Sequence, residues 1–174
     1  MARRFGVSAA LAADRACDPA AVREAALKLI ERLRRTRSDL TKRLHDKGYA
    51  APVVDEILDR LAAVGLVDDV EYARAFLRGR WGRRAAGWRR LEQDLRGRGI
   101  AADDIASARL SLEADIGAVD EVSSARRVIE QAERRYARLD PRLRRQRLYA
   151  LLQRRGFDGD VIRRALALPD AESS

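Results

Sequence analysis

Two pairs of adjacent carboxylates, Asp68/Asp69 and Asp103/Asp104, are the residues of this chain whose types and spacing could do chemistry. Neighbouring carboxylates can divide general acid and general base work when their environments push their pKa values apart. Each pair, however, stands where a helical pattern begins, and negative charge at a helix start is favoured by the macrodipole. Neither pair comes with a second catalytic constellation, so capping is the expected role. Cys17 is the only cysteine and His45 the only histidine. A catalytic thiol needs a base and an orienting group, and a His/Cys zinc site needs more ligands than these two residues supply. Neither GxxxxGK[ST] nor a strand-borne GxGxxG occurs, so no nucleotide-binding loop is in view. The expectation is a protein that is not an enzyme and uses no metal and no cofactor.

The charge is more informative. The formal net charge is +9, which points to an anionic partner, and phosphate backbones are the commonest such partner. The charge is also uneven. Residues 78–98 hold eight Arg against Glu92 and Asp94, and residues 126–155 hold eleven against Glu130, Glu133 and Asp140. Between them, residues 50–72 carry six acids with only Arg60, and residues 103–124 carry six with only Arg109. Blocks of like charge repel unless a partner relieves them. The candidate contacts are Arg83, Arg84, Arg89 and Arg90 in the centre, Arg34, Arg35 and Arg37 before them, and Arg142, Arg144 and Arg145 after. Trp81 and Trp88 flank the central block. They could stack on bases of a single strand, but Trp88 also fits the apolar face of Leu91 and Leu95.

These side chains must be held by helices. Apolar residues recur at spacings of three and four in Ala26, Leu29, Ile30, Leu33, in Val54, Ile57, Leu58, Leu61, and in Val122, Ala125, Ile129, Ala132. No segment alternates apolar and polar residues around hairpin turns. Helix starts are signalled by Ser38, by Asp68 with Glu71 three residues later, and by Asp140 with Pro141 behind it; Pro52 is a further first-turn proline. Nothing approaches the ~18 consecutive apolar residues of a membrane span, and the start is weak as an export signal, so a cytoplasmic protein without membrane contact is expected.

One pattern occurs three times. Leu40, Leu44, Gly48, Tyr49 and Val54 align with Leu91, Leu95, Gly99, Ile100 and Ile105, and with Leu148, Leu152, Gly156, Phe157 and Ile162. A glycine just past a helix end takes the left-handed conformation, and the residue after it packs back on the third residue from the end. Tyr49 on Leu44, Ile100 on Leu95 and Phe157 on Leu152 are thus expected clasps between the second and third helices of a repeated unit. The fold class is all-α: three tandem three-helix, helix-turn-helix-like modules in an elongated curved arrangement. The expected divisions are an N-terminal extension over 1–24, modules over 25–68, 69–119 and 120–169, and a tail over 170–174.

Particular stretches carry a resemblance. "RSDLTKRLHDKGY" followed by "ILDRLAAVGLVDDVEYARAFL" is similar to the signature of the RecX family, bacterial regulators of the RecA recombinase, with Gly65, Leu66, Val67, Asp68, Asp69, Tyr72, Ala73 and Phe76 in its places. "GWRRLEQDLRGRGI" and "DPRLRRQRLYALLQRRGFDGDVIRRAL" resemble the second and third modules of that family. Ala86 departs from it where a basic residue is usual, Gly159 weakens the start of the last helix, and residues 1–24 match nothing. The resemblance implies a non-enzymatic, mainly negative modulator of RecA that lodges in the groove of the RecA filament on DNA and restrains ATP hydrolysis, strand exchange and filament growth. A monomer that binds single- and double-stranded DNA weakly and salt-dependently is expected. Two other readings of the residues stand beside it, a helix-turn-helix transcriptional regulator and a helical-repeat adaptor for a protein peptide.

Overall fold

The computed structural model describes residues 16–81 and 86–167. Among them are nine helices and no strand: α1 Pro19–Arg32, α2 Arg37–Asp46, α3 Ala51–Ala63, α4 Asp69–Arg80, α5 Trp88–Arg96, α6 Ala102–Ile116, α7 Glu121–Tyr136, α8 Pro141–Arg154 and α9 Gly159–Ala167. They form three three-helix modules, α1–α3, α4–α6 and α7–α9. α1 starts at Pro19 behind an Asp18 cap, so residues 19–24 of the stretch without periodicity are helical. Residues 1–15, the tail 170–174, and Arg83 and Arg84 lie outside the described residues.

The chain divides into two compact units, Met1–Tyr72 with Arg98–Asp104 and Ala73–Gly97 with Ile105–Ser174. In the first, α1, α2 and α3 pack mutually around Val22, Ala26, Leu40, Leu44, Val54, Ile57, Leu58 and Leu61. In the second, α7, α8 and α9 pack around Val122, Ala125, Val128, Leu152, Phe157 and Ile162. Most are the periodic or repeated positions of the sequence; Leu33, the last of the first periodic set, lies just past the end of α1 and is exposed instead. Full burial of a leucine such as Leu44 or Leu152 is worth about 1.5–3 kcal/mol, which is what holds each short helix in place.

The repeated glycines end helices as the sequence requires. Gly48 has φ +87°, Gly99 +78° and Gly156 +81°. The Tyr49 N–H donates to the Leu44 carbonyl at 3.2 Å while Gly48 N–H donates to His45, and Phe157 N–H donates to Leu152 at 3.2 Å while Gly156 N–H donates to Gln153. This pair of bonds is the Schellman arrangement, with the clasp residue packed into the same core as its partner. Leu95 and Ile100 are both buried. A further stop of the same kind ends α3, where Gly65 has φ +74° and Leu66 N–H donates to Leu61.

Capping agrees with the sequence except at one helix. Asp68 accepts from Glu71 N–H, Asp140 accepts from Arg142 and Leu143, and Pro52 sits in the first turn of α3. The N-cap of α2 is Thr36 and not Ser38: its hydroxyl accepts from Asp39 N–H at 3.1 Å. Ser38 is already inside the first turn, where its side chain lies against Gly99. Local capping chemistry would serve either residue; the approach of the Gly99 turn selects the register.

Candidate nucleic-acid interface

The arginines fall into two kinds. Arg35 is largely buried: Nε donates to the Leu29 carbonyl at 3.2 Å and Nη1 to Asp39 at 2.6 Å, tying the end of α1 to α2. Arg34 pairs with Glu71 at 3.3 Å and Arg37 with Asp59 at 2.7 Å. Arg89 pairs with Asp158 at 2.5 Å and Arg90 with Asp94 at 3.1 Å. In the same unit Arg74 and Arg78 of α4 share Asp115 of α6 at 2.5 and 2.7 Å, and the Arg74 hydrogen bond holds that carboxyl below its ordinary range. Asp158 is likewise lowered, first by the Asp160 backbone N–H and then by Arg89. These cations are occupied within the chain.

The third module differs. Arg142 and Arg145 are exposed and Arg144 is half-buried, and none has a carboxylate partner among the described residues. Sequence reasoning passed over their neighbours Arg134, Arg135, Arg138 and Arg147, also exposed and without such a partner. The α7–α8 turn gathers this group, since α7 ends at Tyr136 and α8 begins at Pro141. Asp140 lies among them, but its carboxylate is committed to the amides of Arg142 and Leu143. A signal for part of the group was available: Arg135, Arg138, Arg142, Arg145 and Arg147 have no Asp or Glu three or four residues away. By contrast Arg43, Arg60, Arg96 and Arg109 each pair with the acid that helical spacing offers.

The tryptophans are structural. Trp81 is buried, its ring 5.2 Å from that of Trp88, and the Arg109 guanidinium lies 4.4 Å from the Trp88 ring. Both rings are engaged by contacts within the protein, Trp81 fully and Trp88 while half-buried.

Beneath the basic helices the modules are joined by main chain. In the first unit the Thr36 hydroxyl donates to the Arg98 carbonyl at 3.0 Å, and Arg37 N–H donates to Asp69 Oδ1 at 2.9 Å. In the second, Gly87 N–H donates to the Arg155 carbonyl at 2.9 Å and Arg89 N–H to the Gly156 carbonyl at 3.1 Å. The start of one module's second helix thus rests on the glycine turn of the next module in both places.

Asp69 is half-buried; burial raises its carboxyl above the ordinary 3.8, Arg37 N–H opposes the rise, and nearby Asp104 adds to it. A folded pKa above the unfolded one favours the fold when protonated, a contribution complete below about pH 3.8 and lost as pH rises through the folded pKa. Asp69→Asn keeps an acceptor oxygen and removes the charge. It is expected to be more stable than the parent at pH 7, with the gain vanishing towards pH 3.5; urea denaturation across that range measures it.

Among the described residues no group of three or more His, Cys, Asp and Glu is placed to hold a metal, and no helix is long and apolar enough to cross a membrane. Three-helix modules in tandem, with an arginine-dense surface on the third, define a helical-repeat protein. Models of the RecX family match in order: the first three-helix domain over residues 23–61, the second over 68–108 and the third over 119–166. A regulatory protein RecX of Halorhodospira halophila (strain DSM 244 / SL1) is 39% identical over 158 residues, which are 87% of this chain and 90% of that protein. One from Mycobacterium sp. (strain KMS) is 38% identical over 137 residues, 75% of this chain and 72% of that one. A crystal structure of a regulatory protein RecX superposes with a TM-score of 0.73 at 26% identity, over 89% of this chain and 74% of that one. RecX from Lactobacillus salivarius gives 0.76 at 23% identity, over 88% and 96%, a likeness of fold. The chain belongs to the RecX family, whose members are regulatory, non-enzymatic proteins.

Proposed function

We propose that this protein is a mainly negative modulator of the RecA recombinase that binds in the groove of the RecA–DNA filament and restrains ATP hydrolysis, strand exchange and filament growth. Membership of the RecX family supports the partner. The observation that carries the mode of binding is the set of unneutralised arginines at the α7–α8 turn. Cations without internal partners gain most from phosphates, because each contact releases counterions without breaking an ion pair. A ligand that holds one filament geometry better than another shifts the filament towards it, and this differential binding is how a non-enzyme restrains an ATPase. The paired arginines Arg34, Arg35, Arg37, Arg89 and Arg90 chiefly hold the helices beneath.

The test is RecA ATP hydrolysis on single-stranded DNA with the protein titrated in. Hydrolysis is expected to fall saturably, and more weakly as salt is raised. A flat rate at concentrations that saturate DNA binding would exclude the filament reading and leave a DNA-binding regulator or a peptide adaptor.

A further inference from the structure

We infer that the groove between α5 and α8 holds an unpaired base of a single-stranded nucleic acid whose phosphates run along α8. The inference rests on the phosphate reading of the α7–α8 arginines above and adds what lies at the other end of the same helix face. Arg142, Arg145, Tyr149 and Gln153 follow one another at spacings of three and four residues. Such spacing keeps them on one face of α8, and at about 1.5 Å per residue that face is about 16 Å long. It starts at exposed arginines without a carboxylate partner among the described residues and ends in the groove.

Main chain brings the two helices together. Gly87 N–H on the Arg155 carbonyl and Arg89 N–H on the Gly156 carbonyl set the start of α5 against the end of α8. The groove beside this contact is about 500 Å³, lined by Arg89, Arg90 and Gln93 of α5 and by Tyr149, Gln153 and Arg154 of α8. That volume is in the range of small-molecule sites. Arg89 and Arg90 are neutralised by Asp158 and Asp94. The side chains of Gln93, Gln153 and Arg154 are exposed and have no hydrogen-bond or ion-pair partner among the described residues. The groove therefore offers an aromatic ring, two amides able both to donate and to accept, and a cation without an acid.

A nucleotide matches this set. Its base stacks on an aromatic face and carries donors and acceptors on its edge, and its phosphate needs a cation. Trp81 and Trp88 are engaged with each other and with Arg109, whereas Tyr149 lines the groove. A base inside a duplex is already stacked and paired, so the groove takes only single strands. An acidic peptide would use the cations and leave the ring without a role.

The full-length chain is titrated by fluorescence anisotropy against an oligothymidine strand, the same strand with abasic sugars in place of its nucleosides, and a duplex of equal length. The parent is expected to bind the thymidine strand about tenfold more tightly than the abasic one. Tyr149→Leu should remove that difference, while affinities for the abasic strand and the duplex, neither of which offers an unstacked base, stay within about twofold. Tyr149→Phe, which keeps the ring, should restore the difference. Gln93→Ala with Gln153→Ala, at exposed positions, should reduce it by about threefold or more, so the inference is decided even where Tyr149→Leu does not fold. Equal affinity of the parent for the thymidine and abasic strands would overturn the inference and leave the groove to a peptide. So would a difference that survives in a folded Tyr149→Leu variant or in the glutamine pair, or a parallel loss on the duplex. The abasic strand reads the phosphate contacts alone: no binding to it, or full binding by Arg142→Glu with Arg145→Glu, would overturn the phosphate reading instead.

Discussion

Three glycine-to-alanine substitutions in this chain are expected to give three different losses, separating backbone conformation from contact. Gly48→Ala meets only conformation: φ is +87°, and a Cβ there would find nothing within 4 Å. Holding an L-residue in the left-handed region costs about 1–2 kcal/mol. For a domain of this size each kcal/mol lowers Tm by about 2–4 °C. Gly87→Ala meets only contact, because φ is −75°, yet its Cβ would stand 2.4 Å from Gly156 C and O and from Phe157 N. Those are main-chain atoms of the next module's helix stop and cannot swing aside. Overpacking of this kind costs about 1–3 kcal/mol. Gly156→Ala meets both, with φ +81° and its Cβ 2.4 Å from Arg90 N. The sum is roughly 2–5 kcal/mol, so thermal denaturation should show the largest fall for Gly156→Ala, by about 4–20 °C. Equal losses at Gly48 and Gly156 would show that the close approach of the modules contributes nothing.

Gly48, Gly99 and Gly156 were legible because a helix stop is local chemistry: a glycine at C′ and an apolar residue after it announce the turn within a few residues. The joints were not. Arg37, Gly87 and Arg89 act there through their main-chain N–H groups, which every non-proline residue has, so the sequence does not mark them. Asp69 therefore reads as a member of an ordinary capping pair. Thr36 and Ser38 are similarly indistinguishable as caps until the carbonyl of Arg98 and the Gly99 turn come close to them.

The arginines divide along the same line. Where an acid stands one helical turn away, as Asp39 does from Arg43 or Glu92 from Arg96, pairing is readable. Where the acid comes from a distant part of the chain, as Asp158 does for Arg89 and Asp59 for Arg37, composition counts a free cation that the fold has neutralised. An excess of charge in the sequence thus overstates the unpaired cations of modules whose acids return from a distance, and gives them more faithfully for the third module.

Arg142→Glu combined with Arg145→Glu is accordingly expected to lower affinity for single-stranded DNA more than tenfold at physiological salt. Each phosphate contact on a single strand contributes about 0.7 to the slope of log K against log salt, so losing two should flatten the slope by about 1–2. Tm should stay within roughly 2 °C, because both side chains are exposed and neither has a carboxylate partner among the described residues to lose. Inhibition of RecA hydrolysis should weaken in parallel. Arg89→Glu with Arg90→Glu is a poorer test of contact, since it would set new carboxylates beside Asp158 and Asp94 and disturb the fold along with the charge. Arg35→Ala marks the opposite limit. It removes hydrogen bonds to Leu29 and Asp39 from a largely buried guanidinium. It should lose about 1–3 kcal/mol of stability while leaving the salt slope unaltered. If the double variant at the α7–α8 turn kept the parent slope while Arg35→Ala flattened it, the phosphate contacts would lie on the helices whose arginines are paired, and the unneutralised group would be only a solvated face.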